Sequence, residues 1–228
     1  MIKPTHCHGV GFQTFMGITM LVGLDFDNTI VCYDRLFHRL ARERGLIPES
    51  VPATKGAVRD YLRSIDREND WTEMQGVGYG PRISEAELFP GAIEFFELCK
   101  SVGIRIAVIS HKTKHPYLGE KYDLHEAAHT FLTRHGFYRT SDTGLSPLSV
   151  WLELTKQSKL DRIGSLGCDV FVDDLPEFLG EPSFPAQTRK VLFDPANACP
   201  DSGDYTRVRS WNELAIFVQS GKEGRWAA

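Results

Sequence analysis

Five short apolar runs, at residues 21–26, 104–109, 149–154, 169–172 and 190–193, punctuate the chain. The stretches between them carry apolar residues at helical spacing. The clearest helical stretch has Ala92, Phe95, Phe96 and Cys99 at i, i+3, i+4 and i+7, with Pro90 ahead of it and Gly103 behind. A last helical stretch covers 211–218. Strand and helix alternating in this way predict an α/β fold: a doubly wound, mostly parallel, five-stranded Rossmann-like sheet with helices on both faces.

The interval between the first two strands, residues 27–103, far exceeds the dozen or so residues a plain crossover needs. Two amphipathic stripes lie inside it, Tyr33/Leu36/Phe37/Leu40 and Val58/Tyr61/Leu62/Ile65. They are followed by a segment, 71–81, containing Gly76, Gly78 and Gly80, which reads as a flexible loop. The expected organisation is a core of residues 20–33 and 89–220 and a small helical cap of 34–88. An N-terminal extension (1–19) and a C-terminal tail (221–228) lie outside the fold. Trp71, Glu73, Gln75 and Tyr79 of the cap loop are candidate specificity residues.

The polar residues that close the strands carry the chemistry. The first strand ends in Asp25-Phe26-Asp27-Asn28-Thr29, two carboxylates at i and i+2, where open α/β sheets hold ligands. The second strand delivers Ser110, followed by His111 and Lys112, a hydroxyl and free amides suited to phosphate oxygens. After the third strand, Lys156 and Lys159 open a helix, a position where a cation opposes the macrodipole. A lysine aimed at phosphate and carboxylates explains that placement, with Lys159 the first choice and Lys156 the second. The fourth strand ends in Asp173-Asp174. Four carboxylates converging on one sheet edge call for a hard, oxygen-liking cation such as Mg²⁺.

This order of motifs resembles the haloacid dehalogenase superfamily of phosphohydrolases. In that superfamily DxDx[TV] closes the first strand, Ser or Thr the second, a Lys opens a later helix and paired acids close the fourth strand. The resemblance covers about residues 20–220. It implies a HAD-like fold with a small helical cap inserted after the first strand, and Mg²⁺-dependent hydrolysis of a small phosphorylated metabolite through an aspartyl-phosphate. By the same resemblance Asp25 is the nucleophile, Asp27 the acid/base, and Ser110 and Lys159 the phosphate-holding pair, with Thr29, His111 and Lys112 at the substrate. Mg²⁺ would be bound by the Asp25 carboxylate, the Asp27 main-chain carbonyl and Asp174, with Asp173 in the outer shell. Members that cleave carbon–halogen bonds lack the second aspartate, so Asp27 favours phosphoryl chemistry. The gap from Lys159 to Asp173 is shorter than in many relatives. Two alternatives keep the same fold: a phosphotransferase or phosphomutase, and a non-catalytic binding module.

The remaining features narrow the class. With 26 Lys and Arg against 30 Asp and Glu, the net charge of −4 argues against a nucleic-acid partner. Five scattered cysteines without C-x-x-C read as reduced thiols, which implies a cytoplasmic protein. No apolar stretch approaches the ~20 residues of a membrane span. His125-Glu126-Ala127-Ala128-His129 matches the zinc motif H-E-x-x-H, with His135 at the third-ligand spacing of the longer metzincin pattern. Leu132 stands where that pattern needs a turn-making Gly, and a continuing helix would carry His135 away from His129. Zinc hydrolysis by His125, Glu126 and His129 is therefore the remote alternative.

Overall fold

The computed structural model describes residues 20–199 and 203–224, so the expected extension at 1–19 lies outside the described residues, as do residues 225–228 of the expected 221–228 tail. The main sheet has the order β5-β4-β1-β6-β7-β8, every neighbour parallel. Its strands are β1 (Leu21–Leu24), β4 (Arg105–His111), β5 (Val150–Glu153), β6 (Val170–Asp173), β7 (Arg189–Phe193) and β8 (Thr206–Val208). The doubly wound parallel sheet is thus present, with one strand more than the five expected. β8 escapes a pattern search because it has three residues, of which only Val208 is buried. A two-stranded antiparallel ribbon, β2 (Val31–Cys32) with β3 (Glu87–Leu88), closes the insertion at its base.

Strand alternation sends side chains to two cores. Val22, Leu24, Val170 and Val172 face a cluster with α4 (Ala92–Ser101), α5 (Leu124–Arg134) and α9 (Trp211–Lys222), which contribute Phe96, Phe131 and Trp211. Leu21, Ile109 and Phe171 face the opposite cluster with α7 (Lys156–Leu166) and α8 (Pro176–Leu179), which contribute Leu160, Ile163 and Phe178. Gly23 belongs to this second face. A Cβ there would stand 2.6 Å from the Phe171 ring, so glycine lets that ring lie over the central strand. A short helix, α6 (Thr140–Thr143), precedes β5.

The insertion forms α1 (Asp34–Glu43), α2 (Lys55–Ser64) and α3 (Glu68–Tyr79), which pack on one another. Phe37 is the hub, with Trp71 at 4.9 Å and Tyr79 at 5.4 Å between ring centroids. Tyr33, Phe37, Trp71 and Met74 join the same apolar cluster as Phe26 and Ile30, so the insertion and the sheet share one core.

The segment expected as a flexible loop over 71–81 is helix α3 through Tyr79. Its glycines serve close approach rather than hinge motion. A Cβ on Gly76 would meet Pro116 Cβ at 2.8 Å, and one on Gly80 would meet Tyr122 Cβ at 2.9 Å. Tertiary packing against the 116–122 segment outweighs the helix cost of glycine, about 1 kcal/mol each relative to alanine. Among the described residues, no helix is long and apolar enough to cross a membrane.

Candidate active site

β1 lies where the sheet order reverses: the chain runs outward through β4 and β5 on one side, then through β6, β7 and β8 on the other. Crevices at such a switch point, beyond the carboxyl ends of the strands, are where open α/β sheets hold ligands. The backbone continues the ladder past β1, with Asp25 N donating to Val172 O at 2.9 Å, which places Asp25 level with Asp173. Alternation puts Asp173 on the same face as Phe171, the face covered by α7. From α7, Lys159 reaches both carboxylates, donating to Asp25 Oδ1 and Asp173 Oδ2 at 2.6 Å each. All three side chains are buried.

The helix that presents Lys159 starts in a capping box, with Thr155 and Ser158 satisfying each other's backbone amides. Lys156, the second choice from sequence, is half-exposed and paired with Glu181 at 2.6 Å. Lys159 is the lysine at the carboxylates. Burial disfavours its charge, but Asp173 and Asp25 hold the ammonium above the ordinary lysine range.

Asp25, Asp173 and Asp174 each offer a carboxylate oxygen within 4.8 Å of the others, the one such group of metal-ligating side chains among the described residues. Burial and the neighbouring Asp173 and Asp25 push the Asp174 carboxyl well above its usual value. Asp173 is raised to about 6 by burial, against the pull of Lys159. Both oxygens of Asp173 have donors, Lys159 on one and Leu175 N at 3.0 Å on the other. Crowded acidic oxygens with a surplus of negative charge are the donor set of a hard divalent cation, and the residues fit one.

Asp27 lies past the strand end, in a tight turn where Phe26 O accepts from Ile30 N and Val31 N at 3.0 and 3.1 Å. Asn28 takes the left-handed conformation at φ 58°, which asparagine tolerates better than most residues. Three bonds then aim at the Asp27 carboxylate. Lys112 Nζ donates to Oδ1 at 3.0 Å and Oδ2 at 2.7 Å, and the Tyr33 hydroxyl donates to Oδ1 at 2.6 Å. Burial alone would raise this carboxyl, but Lys112, Tyr33 and Lys55 hold it below the ordinary carboxylate range. Burial and the Asp27 charge push the Tyr33 phenol well up, so it remains a donor.

Lys112 is held in its turn. Its N–H donates to Glu153 O at 2.8 Å, extending the β4–β5 ladder. Its carbonyl lies 2.8 Å from His125 Nε2, and its ammonium sits 4.7 Å from the Tyr79 ring. Ser110 is buried at the end of β4, one strand over from Asp25. His111 points to the Lys159 side of the sheet. Burial and the Lys159 charge hold its imidazole below the usual range.

Several sequence-based candidates fall elsewhere. Thr29 is fully buried in the turn, and its hydroxyl has no hydrogen-bond partner among the described residues. Trp71, 2% exposed, packs on Phe37 because α3 turns that side chain toward α1. Glu73 is exposed beside Gly119, and Gln75 lines a small hollow with Tyr79 and Thr113. The H-E-x-x-H residues do not assemble a metal site. His125 bonds Lys112 O, while His129 Nδ1 bonds the Tyr138 hydroxyl at 2.5 Å. Leu132 is helical, and His135 stacks on Phe131 at 4.2 Å.

Sequence reasoning missed Tyr33 and Lys55. Tyr33 carried a signal only as part of an apolar stripe. Lys55 opens α2, the same unfavourable position relative to the macrodipole that drew attention to Lys159.

No family model and no curated protein matches the sequence. Solved structures do match in fold. A HAD family hydrolase from Deinococcus radiodurans R1 with bound phosphate and sodium has a TM-score of 0.55 at 16% identity, covering 90% of this chain and 98% of its own. A predicted phosphoglycolate phosphatase from Haemophilus somnus 129PT has a TM-score of 0.53 at 16% identity, covering 88% and 98%. A dehalogenase solved with an intermediate complex has a TM-score of 0.55 at 14% identity, covering 87% and 96%. The chain has the haloacid dehalogenase-like fold over nearly all its length.

Proposed function

We propose that this protein is a Mg²⁺-dependent phosphatase that hydrolyses a small phosphorylated metabolite through an aspartyl-phosphate. The observation that carries the reading is the pair of aspartates with opposite surroundings. Asp25 sits among the acidic cluster with Lys159, while Asp27 sits apart, gripped by Lys112 and Tyr33. Two carboxylates in distinct environments suit two distinct roles.

An Asp25 oxygen attacks phosphorus, and the bond from phosphorus to the leaving oxygen breaks. The leaving oxygen takes a proton from the protonated form of Asp27, the minority form because Lys112, Tyr33 and Lys55 hold this carboxyl low. Water then attacks the phosphorus of the aspartyl-phosphate and gives its proton to Asp27, and the bond to Asp25 breaks, freeing phosphate. Lys159 neutralises charge at Asp25 and Asp173 throughout, and Ser110 with its neighbouring amides would hold the phosphoryl oxygens. Asp25, Asp174 and the Asp27 main-chain carbonyl would hold Mg²⁺, with Asp173 in the outer shell. The cation supplies the charge neutralisation that lets an anionic carboxylate approach an anionic phosphate.

The fold neighbours include a dehalogenase, and Asp27 is what favours phosphate here. A halide leaves without a proton, so the proton-donating role of a second carboxylate has a task where the leaving group is an oxygen, as in a phosphate monoester. The test is hydrolysis of p-nitrophenyl phosphate with and without Mg²⁺, beside Asp25→Asn. We expect metal-dependent release of phosphate that falls about 10³-fold or more in the variant, because the nucleophile is lost. A variant as active as the unaltered protein would sink the reading.

A further inference from the structure

Beyond the phosphate site, a cleft of about 320 Å³ opens between the insertion and the carboxyl edge of the sheet. Asn28, Tyr33, Lys55, Arg59, Phe89 and Asp174 line it, so it runs from the acidic cluster to the first turns of α2. Its volume is at the low end for small-molecule sites, enough for a metabolite of a few carbons.

Lys55 sets the chemistry of this cleft. The two other lysines of the site are matched by carboxylates: Lys159 by Asp25 and Asp173, Lys112 by Asp27. Lys55 makes no such pair among the described residues. Its ammonium donates to the neutral Asn28 Oδ1 at 3.0 Å and lies 5.3 to 5.8 Å from the Tyr79, Tyr33 and Phe37 rings. Burial works against its charge, yet Tyr79, Asp174 and Asp27 keep it protonated.

Lys55 is thus a charged ammonium with no carboxylate in contact among the described residues, bordering the cleft and able to receive an oxyanion. Arg59 lies one turn further along α2 and lines the same cleft, its guanidinium paired with its sequence neighbour Asp60 at 2.8 Å. The cleft's other carboxylates are engaged. Asp34 accepts from Lys55 N at 2.8 Å, and Asp194 accepts from Ala198 N and Cys199 N and faces Arg207 at 3.6 Å.

We propose that the cleft binds a second anionic group of the substrate through Lys55 and Arg59, making the substrate class phosphate monoesters of small acids. This rests on the phosphatase reading for its first anion, but it concerns a different part of the ligand. The shared chemistry is an oxyanion, either a carboxylate or a second phosphate, and Lys55 is its specificity-determining contact.

Phosphonates, which cannot be hydrolysed, separate this inference from catalysis. Calorimetric titration of the full chain with Mg²⁺ compares 3-phosphonopropionate and 1,3-propanediphosphonate with the neutral-tailed propylphosphonate. One charge-assisted contact should make an acid-bearing analogue bind about 10-fold tighter or more. The stronger of the two acids identifies the oxyanion. Lys55→Gln should reduce the preference, read as the ratio of the two affinities, to about 2-fold, Lys55→Arg should retain part of it, and Arg59→Gln should lower it by a smaller factor.

Hydrolysis of p-nitrophenyl phosphate, measured in parallel, reports on the phosphatase reading alone. Affinities for acid and neutral analogues that do not differ, undetectable binding of both included, would overturn the inference. So would a preference that survives Lys55→Gln. The comparison in the unaltered protein needs no variant to fold.

Discussion

Replacing Lys159 by methionine removes one ammonium and keeps the length of an apolar stem. In the folded protein that ammonium donates to Asp25 and Asp173 at 2.6 Å each, and the three side chains are 4, 7 and 0% exposed. Solvent screening therefore offers little discount. Each charged hydrogen bond contributes about 1.5–3 kcal/mol, and stripping one partner from a buried ion pair costs about 3–5 kcal/mol. The two bonds share one cation, so the cost of stripping a buried pair applies once, to both together. The metal-free variant should lose about 3–5 kcal/mol of about 5–15, lowering Tm by roughly 6–20 °C in a domain of this size.

The loss should depend on pH, and its sign follows from the carboxylates. The Lys159 ammonium is held above the ordinary lysine range, so its own contribution is constant from pH 5 to 8. Asp173 is already raised to about 6, and removing the cation raises it further. A carboxyl raised in the folded state destabilises above its folded value and is relieved as protons bind. The gap between variant and parent should thus be widest near pH 8 and narrower at pH 5. Urea unfolding in EDTA at both pH values measures it. Adding Mg²⁺ should recover part of the loss by binding the unpaired carboxylates. A loss under about 1 kcal/mol at pH 8, or a gap that widens toward pH 5, would refute the reasoning.

Two further outcomes test other parts of the structure. Gly76→Ala should lower thermal stability even though alanine favours helices by about 1 kcal/mol, because its Cβ meets Pro116 at 2.8 Å and overpacking costs about 1–3 kcal/mol. A higher Tm would show that α3 does not press on the 116–122 segment. Lys112→Met removes the cation that holds Asp27 down, so the basic limb of kcat/KM for an alkyl phosphate, on which Asp27 loses the proton it gives the leaving oxygen, should move to higher pH. An unmoved limb would mean that Asp27 is not the titrating group.

Much of the site was legible because it depends on strand ends. A carboxylate or hydroxyl that closes an apolar run must emerge at the edge of the sheet, wherever that strand is placed. Asp25, Ser110 and Asp173 could be picked out for that reason, and the zinc motif discounted because Leu132 could not make the turn. The sequence ranked Lys159 ahead of Lys156 but could not settle the choice. Three residues separate them in the chain, but only the docking of α7 on the Phe171 face decides which one reaches Asp25. Trp71 and the three glycines misled for the opposite reason, since composition suggested a loop where packing against Phe37 and Pro116 imposes a helix.

Local spacing thus determined the strands, the helices flanking them and the polar groups at their tips, because those follow from periodicities of two and 3.6 residues. Tertiary structure alone decided the partnerships: Lys159 between Asp25 and Asp173, Lys112 and Tyr33 on Asp27, Lys55 among three rings. Such pairs join residues as much as 134 positions apart. Their distances are set by which helix packs on which sheet face, a choice made by the whole core rather than by any stretch of chain.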